Sequence, residues 1–250
     1  MKKMIVILLL ALSAGVMFAG NDQDLWNDAA KAYSGKDYEG AVEKYQQLVQ
    51  KGESASLYYN YANALFKAGY TGRAILYYER ALRLDPSNED IKFNLEFANL
   101  SKTDKIDRIE PFFVVVWYRA VTNLMTSNTW AYVSLVLFLL AMVMFLLYRF
   151  GKILGLRKVA FGLFISFVVL FFVSMGHAFH SRNMVTANPK AILMAGSETA
   201  RSTPDDSGTE VFVIHEGTKV RIKSSLGSWS EVALEDGKVG WIKSDSFEVI

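Results

Sequence analysis

The sequence predicts a multidomain membrane protein: an all-α domain of stacked helical hairpins, a two-helix transmembrane hairpin and a small all-β barrel. Three observations carry that reading. Residues 22–108 resemble themselves at a shift of 33, the period of stacked helix pairs. Two long runs, 120–148 and 159–181, contain no charged residue, and about 20 apolar residues suffice to cross a bilayer as a helix. After residue 190 the chain changes to short β-rich runs separated by turn signals.

The N-terminus reads as a secretory signal. Lys2 and Lys3 precede an apolar stretch from Met4 to Phe18, and Ala19-Gly20 offers a small-residue exit. Met17 is bulky for the third position before a cut after Ala19, so an uncleaved anchor stays open as the alternative. Either form exports the repeat region.

In that region the shift of 33 places Leu25 on Tyr58, Ala29 on Ala62, Tyr33 on Phe66, Ala41 on Ala74 and Tyr45 on Tyr78. Small residues belong where two helices cross closely, and aromatics fill the gaps between them. Gly69 and Pro86 are the expected stops. The second copy resembles the tetratricopeptide pattern: counting from Ala55, Ala62, Ala74 and Ala81 take its small positions and Tyr78 its aromatic one. The first copy is looser, with Gly35-Lys36-Asp37 lengthening its turn. A capping helix is expected from Glu89 to about Leu100. Two units and a cap are near the minimum that buries a continuous core.

A charged connector, 101–110, leads through Pro111 to an aromatic-rich segment that reads as an interfacial helix. The two spans come next, joined by a short link with Arg149, Lys152, Arg157 and Lys158. Such a cluster marks the cytoplasmic side. Together with the signal it predicts a two-span protein of the cytoplasmic (inner) membrane, with both globular parts on the periplasmic side.

In the tail, Val211–Ile214, Lys219–Ile222, Trp229–Leu234 and Val239–Ile242 read as strands, and Asp236-Gly237 as a tight turn. Five or six strands are expected. The series Gly217, Trp229, Gly237, Gly240 and Trp241 resembles bacterial SH3-like domains. Core packing and strand pairing are preferred over ligand contact for the two tryptophans. The chain thus divides into a signal (1–19), a repeat domain (22–100), a connector with interfacial helix (101–128), the hairpin (129–181) and the barrel (190–250).

The chain has no cysteine, which removes disulfides, thiol nucleophiles, thiolate metal sites and lipoprotein anchoring. Residues 111–183 carry six basic side chains and no acidic one, whereas both water-facing parts are mildly acidic. Nucleic acid is therefore not an expected partner. His177 and His180 share a helical face, but two ligands do not make a zinc site, and they read as interfacial side chains. Neither a nucleophile elbow nor a phosphate-binding glycine loop is present. The sequence therefore predicts no enzyme, metal, cofactor or small-molecule substrate.

Recognition remains. The tetratricopeptide resemblance implies that the first helix of each pair lines a concave groove. This maps Trp26 and Tyr33, then Tyr59, Asn63 and Phe66, and on the cap Asp90, Phe93 and Phe97, onto a protein-binding surface. Aromatics suit a groove for a peptide or helix, and Asn63 could bond a peptide backbone. That several of these aromatics pack inward stays open, above all for Trp26.

The order of parts resembles the BatE proteins of the Bacteroides aerotolerance operon. So do Phe93-Asn94-Leu95-Glu96-Phe97-Ala98-Asn99, Asp104-Lys105-Ile106, Thr129-Trp130-Ala131-Tyr132 and His215-Glu216-Gly217-Thr218-Lys219. The resemblance implies a non-catalytic scaffold or adaptor in an aerotolerance or envelope-stress complex. Its implied partners are von Willebrand A-domain membrane proteins of the same operon and, across the membrane, a MoxR-type ATPase. The alternative function is a peptidoglycan-binding or wall-sensing accessory acting through the SH3-like domain.

Overall fold

The computed structural model describes residues 19–106, 112–186 and 189–250. The expected signal segment up to Phe18, the connector residues 107–111, Pro111 among them, and residues 187–188 lie outside the described residues.

Five helices form the first layer: α1 (Ala19–Ser34), α2 (Tyr38–Val49), α3 (Ala55–Lys67), α4 (Thr71–Leu84) and α5 (Glu89–Leu100). Their boundaries arise from the local chemistry. Asp37 caps α2 by accepting from the Gly40 N–H, Ser54 caps α3 through Leu57, and Asn88 caps α5 through Ile91. Gly69 takes a φ of 92° just past α3, the left-handed conformation that glycine adopts without a Cβ penalty. In the longer first-repeat turn the same role falls to Lys36, with φ 64°. The 33-residue shift holds at the level of burial. Ala29, Ala62, Ala41 and Ala74 are all fully buried, and Tyr45 and Tyr78 fill equivalent gaps.

A short helix, α6 (Phe113–Thr122), precedes the two longest, α7 (Ser127–Phe150) and α8 (Leu154–Thr186). Both α7 and α8 are long and apolar enough to cross a membrane, and each extends past the expected 129–181 segment. They pack on each other through Phe138–Phe171, Phe145–Phe164 and Tyr148–Phe161 ring contacts. Ser134, Ala141, Ala160 and Ser174 are buried between them; small residues of this kind allow close helix approach where no hydrophobic drive exists between spans. Arg157 reaches back over the link to donate to the Tyr148 carbonyl (3.1 Å).

The tail is an antiparallel sheet of seven strands, more than expected: β1 (Lys190–Leu193), β2 (Ser197–Arg201), β3 (Glu210–His215), β4 (Lys219–Leu226), β5 (Trp229–Ala233), β6 (Val239–Lys243) and β7 (Phe247–Val249). The order is β3-β2-β6-β5-β4-β1-β7. Its core gathers Leu193, Ala200, Ile214, Val220, Val232 and Ile242. All four expected strands end early or late by a residue or more, and β1, β2 and β7 carry too few alternating apolar residues to stand out in the sequence. The Asp236-Gly237 turn is present, with Gly237 at φ 90°.

Candidate protein-binding site

The inner face of α3 presents Leu57, Tyr58, Tyr61, Ala62 and Leu65 to the core. Helical geometry then leaves Tyr59, Asn63 and Phe66 on the neighbouring stripe, facing α5. There Asn94 of α5 donates through Nδ2 both to the Tyr59 hydroxyl (3.0 Å) and to Asn63 Oδ1 (2.9 Å). The Tyr78 hydroxyl donates to the same oxygen at 2.6 Å. Burial, reinforced by the nearby Tyr59 and Tyr33 hydroxyls, holds Tyr78 above the ordinary tyrosine range, so this phenol stays a donor. The carboxamide oxygen of Asn63 is thus committed inward. A bond to a ligand would have to use its amide nitrogen.

Phe66 meets Phe97 edge-on at 5.7 Å, which joins the α3 stripe to α5. Phe93 and Phe97 are 68% and 53% exposed. Tyr59, Asn63, Phe66, Phe93 and Phe97 therefore fall on one continuous surface. Trp26 and Tyr33 are tied into the first repeat instead, half-buried against Tyr45 (5.8 Å) and Tyr38 (5.6 Å) respectively. Sequence reasoning missed Asn94, which organises the surface, and Leu100, which extends it. The spacing 93, 97, 100 on the cap helix was the available signal for Leu100.

The other side of the repeat is covered. Tyr70, at the N-cap of α4, makes no capping bond through its side chain; the Gly72 N–H instead donates to Glu216 Oε1 from the β3–β4 turn (3.0 Å). A carboxylate at a helix N-terminus is favoured by the orphan N–H groups and the helix dipole. Two glycines permit the approach. A Cβ on Gly72 would sit 2.5 Å from the Glu216 side chain, and Gly217, at φ 83°, has Ile75 Cδ1 3.0 Å from where its Cβ would be. Further along α4, Glu79 pairs with Lys219, Arg80 donates to Glu248 (2.9 Å) and the Val249 carbonyl (2.6 Å), and Arg83 donates to Ile250 O (2.8 Å). Gly72, Ile75, Glu79 and Arg83 are spaced three or four apart and so form one face of α4. Ile192, Met194 and Ile250 complete the apolar part of this contact by joining the repeat core.

Asp104, in the connector, locks the same turn. Its Oδ2 accepts from the His215 N–H (2.7 Å) and the Thr218 hydroxyl (2.7 Å), and its Oδ1 meets His215 Nδ1 at 2.8 Å. Burial alone would push this carboxyl up, but the bonds from Thr218 and His215 outweigh it and hold Asp104 below the usual carboxylate range. An ionised Asp104 requires Nδ1 of His215 to carry a proton. Of the SH3-like signature residues, Gly217 is this docking turn. Trp229 is buried, with Lys243 Nζ 5.7 Å from its ring, and Trp241 is half-buried in β6, opposite Arg201 and Glu231. Gly240 lies where a Cβ would come within 2.9 Å of Ala200.

At the other end of the hairpin, His177 is only 8% exposed, deeper than an interfacial side chain. Its ring stacks between Tyr118 and Trp130, each at 4.9 Å, and Nδ1 lies 2.8 Å from Thr122 Oγ1. Trp130 donates to the Thr122 carbonyl (3.0 Å) and Ser174 to the Trp130 carbonyl (2.9 Å). These bonds fasten α6 to the hairpin. Among the described residues no group of three or more His, Cys, Asp or Glu is placed to hold a metal ion.

The family model for a tetratricopeptide repeat matches residues 55–88, which comprise α3, α4 and the turn into α5. No curated protein matches the chain. The chain therefore contains a tetratricopeptide repeat, a helical hairpin that typically binds proteins and carries no catalysis, and no enzyme family is found in it. Around that repeat stand two helices fit to cross a membrane and an antiparallel all-β domain.

Proposed function

We propose that the protein is a membrane-anchored, non-catalytic scaffold that binds a protein partner on the α3–α5 surface. One observation carries the reading: the β domain occupies the α4 face of the repeat and leaves Phe93 and Phe97 open on the other. Tyr59, Asn63 and Phe66 form the floor of that surface.

The docking also supports the expected topology. A two-span hairpin returns the chain to the side it left, and the repeat and β domain can touch only if they share that side. The basic link between the spans favours the cytoplasm for the hairpin's tip and hence the periplasm for both domains. The resemblance to the BatE proteins supplies the setting, an aerotolerance or envelope-stress complex with von Willebrand A-domain membrane proteins as partners. The wall-binding alternative is disfavoured, because the burial of Trp229 and the half-burial of Trp241 leave little open aromatic wall for a stem peptide.

Crosslinked co-purification from native membranes tests the proposal. Phe93→Ala/Phe97→Ala should abolish recovery of the partner while helical content and melting temperature stay near wild type, because both rings are largely in solvent. Undiminished recovery would refute the groove.

A further inference from the structure

Phe93, Phe97 and Leu100 lie at i, i+4 and i+7 on α5, in one line along the helix. The opposite side of α5, with Ile91, Leu95 and Ala98, is buried in the repeat core. The line itself is left in water: Leu100 is 71% exposed, more than either phenylalanine. Large apolar side chains lined up at helical spacing on an exposed face are the pattern that receives the apolar stripe of a second helix.

Charge narrows what that helix is. Asp90 heads the same line, and Glu89 and Glu96 flank it, while Lys92, the single cation of α5, is held by Glu89 at 2.8 Å. Two arginines of the neighbouring helix are committed elsewhere. Arg80 and Arg83 of α4 are turned away to Glu248, Val249 and Ile250 of the β domain. Docking of the β domain therefore draws Arg80 and Arg83 to one face of the repeat, while α5 itself, with Glu89, Asp90 and Glu96 against Lys92, is net acidic around its apolar line.

We infer that the α5 stripe binds an amphipathic helical segment of a partner, with apolar anchors about one turn apart and a Lys/Arg-rich flank. This rests on the scaffold reading and adds the chemistry of the partner. A second copy of α5 fits less well, because it would bring two net-acidic helices together. An anionic lipid surface is disfavoured by the same carboxylates.

The test uses the full chain in nanodiscs of uncharged phosphatidylcholine, with empty discs as blank. The probes are three labelled peptides of about 18 residues, five helical turns, sharing one leucine stripe and differing in flanks of Lys, Glu or Gln. Anisotropy should show the Lys peptide binding at least about tenfold more tightly than the Glu peptide, a difference of about 1.4 kcal/mol. Phe93→Ala/Phe97→Ala should remove binding of all three. Asp90→Asn/Glu96→Gln should bring the Lys peptide down to the level of the Gln peptide, and Asp90→Lys/Glu96→Lys should reverse the preference, each variant first shown to keep the wild-type helical signal.

Equal binding of the Lys and Glu peptides, or a Lys preference that survives both charge variants, would overturn the inference. So would self-association of the chain that disappears in Phe93→Ala/Phe97→Ala, which would assign the stripe to a second copy. Absence of peptide binding, alongside partner recovery that still depends on Phe93 and Phe97, would overturn the helix while leaving the scaffold reading intact. Partner recovery indifferent to those two residues would remove both.

Discussion

Asp104 shows how much one side chain organises. It stands in the connector, yet its two oxygens hold the backbone and ring of His215 and the hydroxyl of Thr218, over a hundred residues away in the chain. A hydrogen bond to a charged group contributes about 1.5–3 kcal/mol to stability. Asp104→Asn keeps the shape and removes the charge, so it should destabilise the chain by about 1–3 kcal/mol, read as a lower melting temperature in detergent. The depressed native value sets the pH dependence. The carboxylate's contribution is fully present above its unfolded value of about 3.9 and is lost as pH falls through the lower folded value. The gap between wild type and Asp104→Asn is therefore expected in full at neutral pH and should close only at more acid pH than an ordinary carboxylate would require. Equal melting temperatures for the two chains at neutral pH would mean that shape, and not charge, holds the turn.

At the scale of the element, α4 is the piece with two duties. One face, through Ala74, Tyr78 and Ala81, packs into the repeat; the other carries the β domain. Substitutions on the two faces should therefore fail in different ways. Ala74→Leu, at a fully buried crossing, should cost about 1–3 kcal/mol by overpacking and lower the melting temperature of the repeat. Gly217→Ala imposes the left-handed penalty of about 1–2 kcal/mol and presses on the repeat only at the tip of Ile75. Its effect should appear as loss of protection in hydrogen exchange at the α4 N-terminus, with the core of α3 unchanged. Loss of protection throughout α3 and α4 would mean that the β domain is integral to the repeat's folding and not only docked on it.

For the whole molecule, the contact between the repeat and the β domain closes a loop around the membrane hairpin. The two parts that touch are separated in sequence by α6, α7 and α8, so a bilayer crossed by α7 and α8 would be entered and left on one side. Single cysteines at Ser101, Lys152 and Ser228 can be introduced into a chain that has none of its own. An impermeant reagent on intact spheroplasts should label positions 101 and 228 and spare 152. Labelling of 152 alone would invert the topology; labelling of only one of 101 and 228 would break the docking as well.

Each part of the chain is specified locally. A 33-residue shift, two uncharged runs and alternating strands with an Asp-Gly turn are local, periodic signals, each written in residues near one another. That Tyr59, Asn63 and Phe66 share one stripe of α3 was legible for the same reason, since the position of a residue on a helix is set by its spacing. Which faces meet emerges only once the parts are folded together. Nothing near Gly72 announces that its N–H is capped by Glu216, nor that Asp104 answers His215 and Thr218, because such pairs depend on how two separately folded parts approach. His177 shows the same limit at the hairpin: a histidine near the end of a span reads as interfacial, and only the return of α6 brings Tyr118 and Trp130 against its two faces. Periodicity specifies one element at a time, whereas burial and charge at a docking face are properties of two.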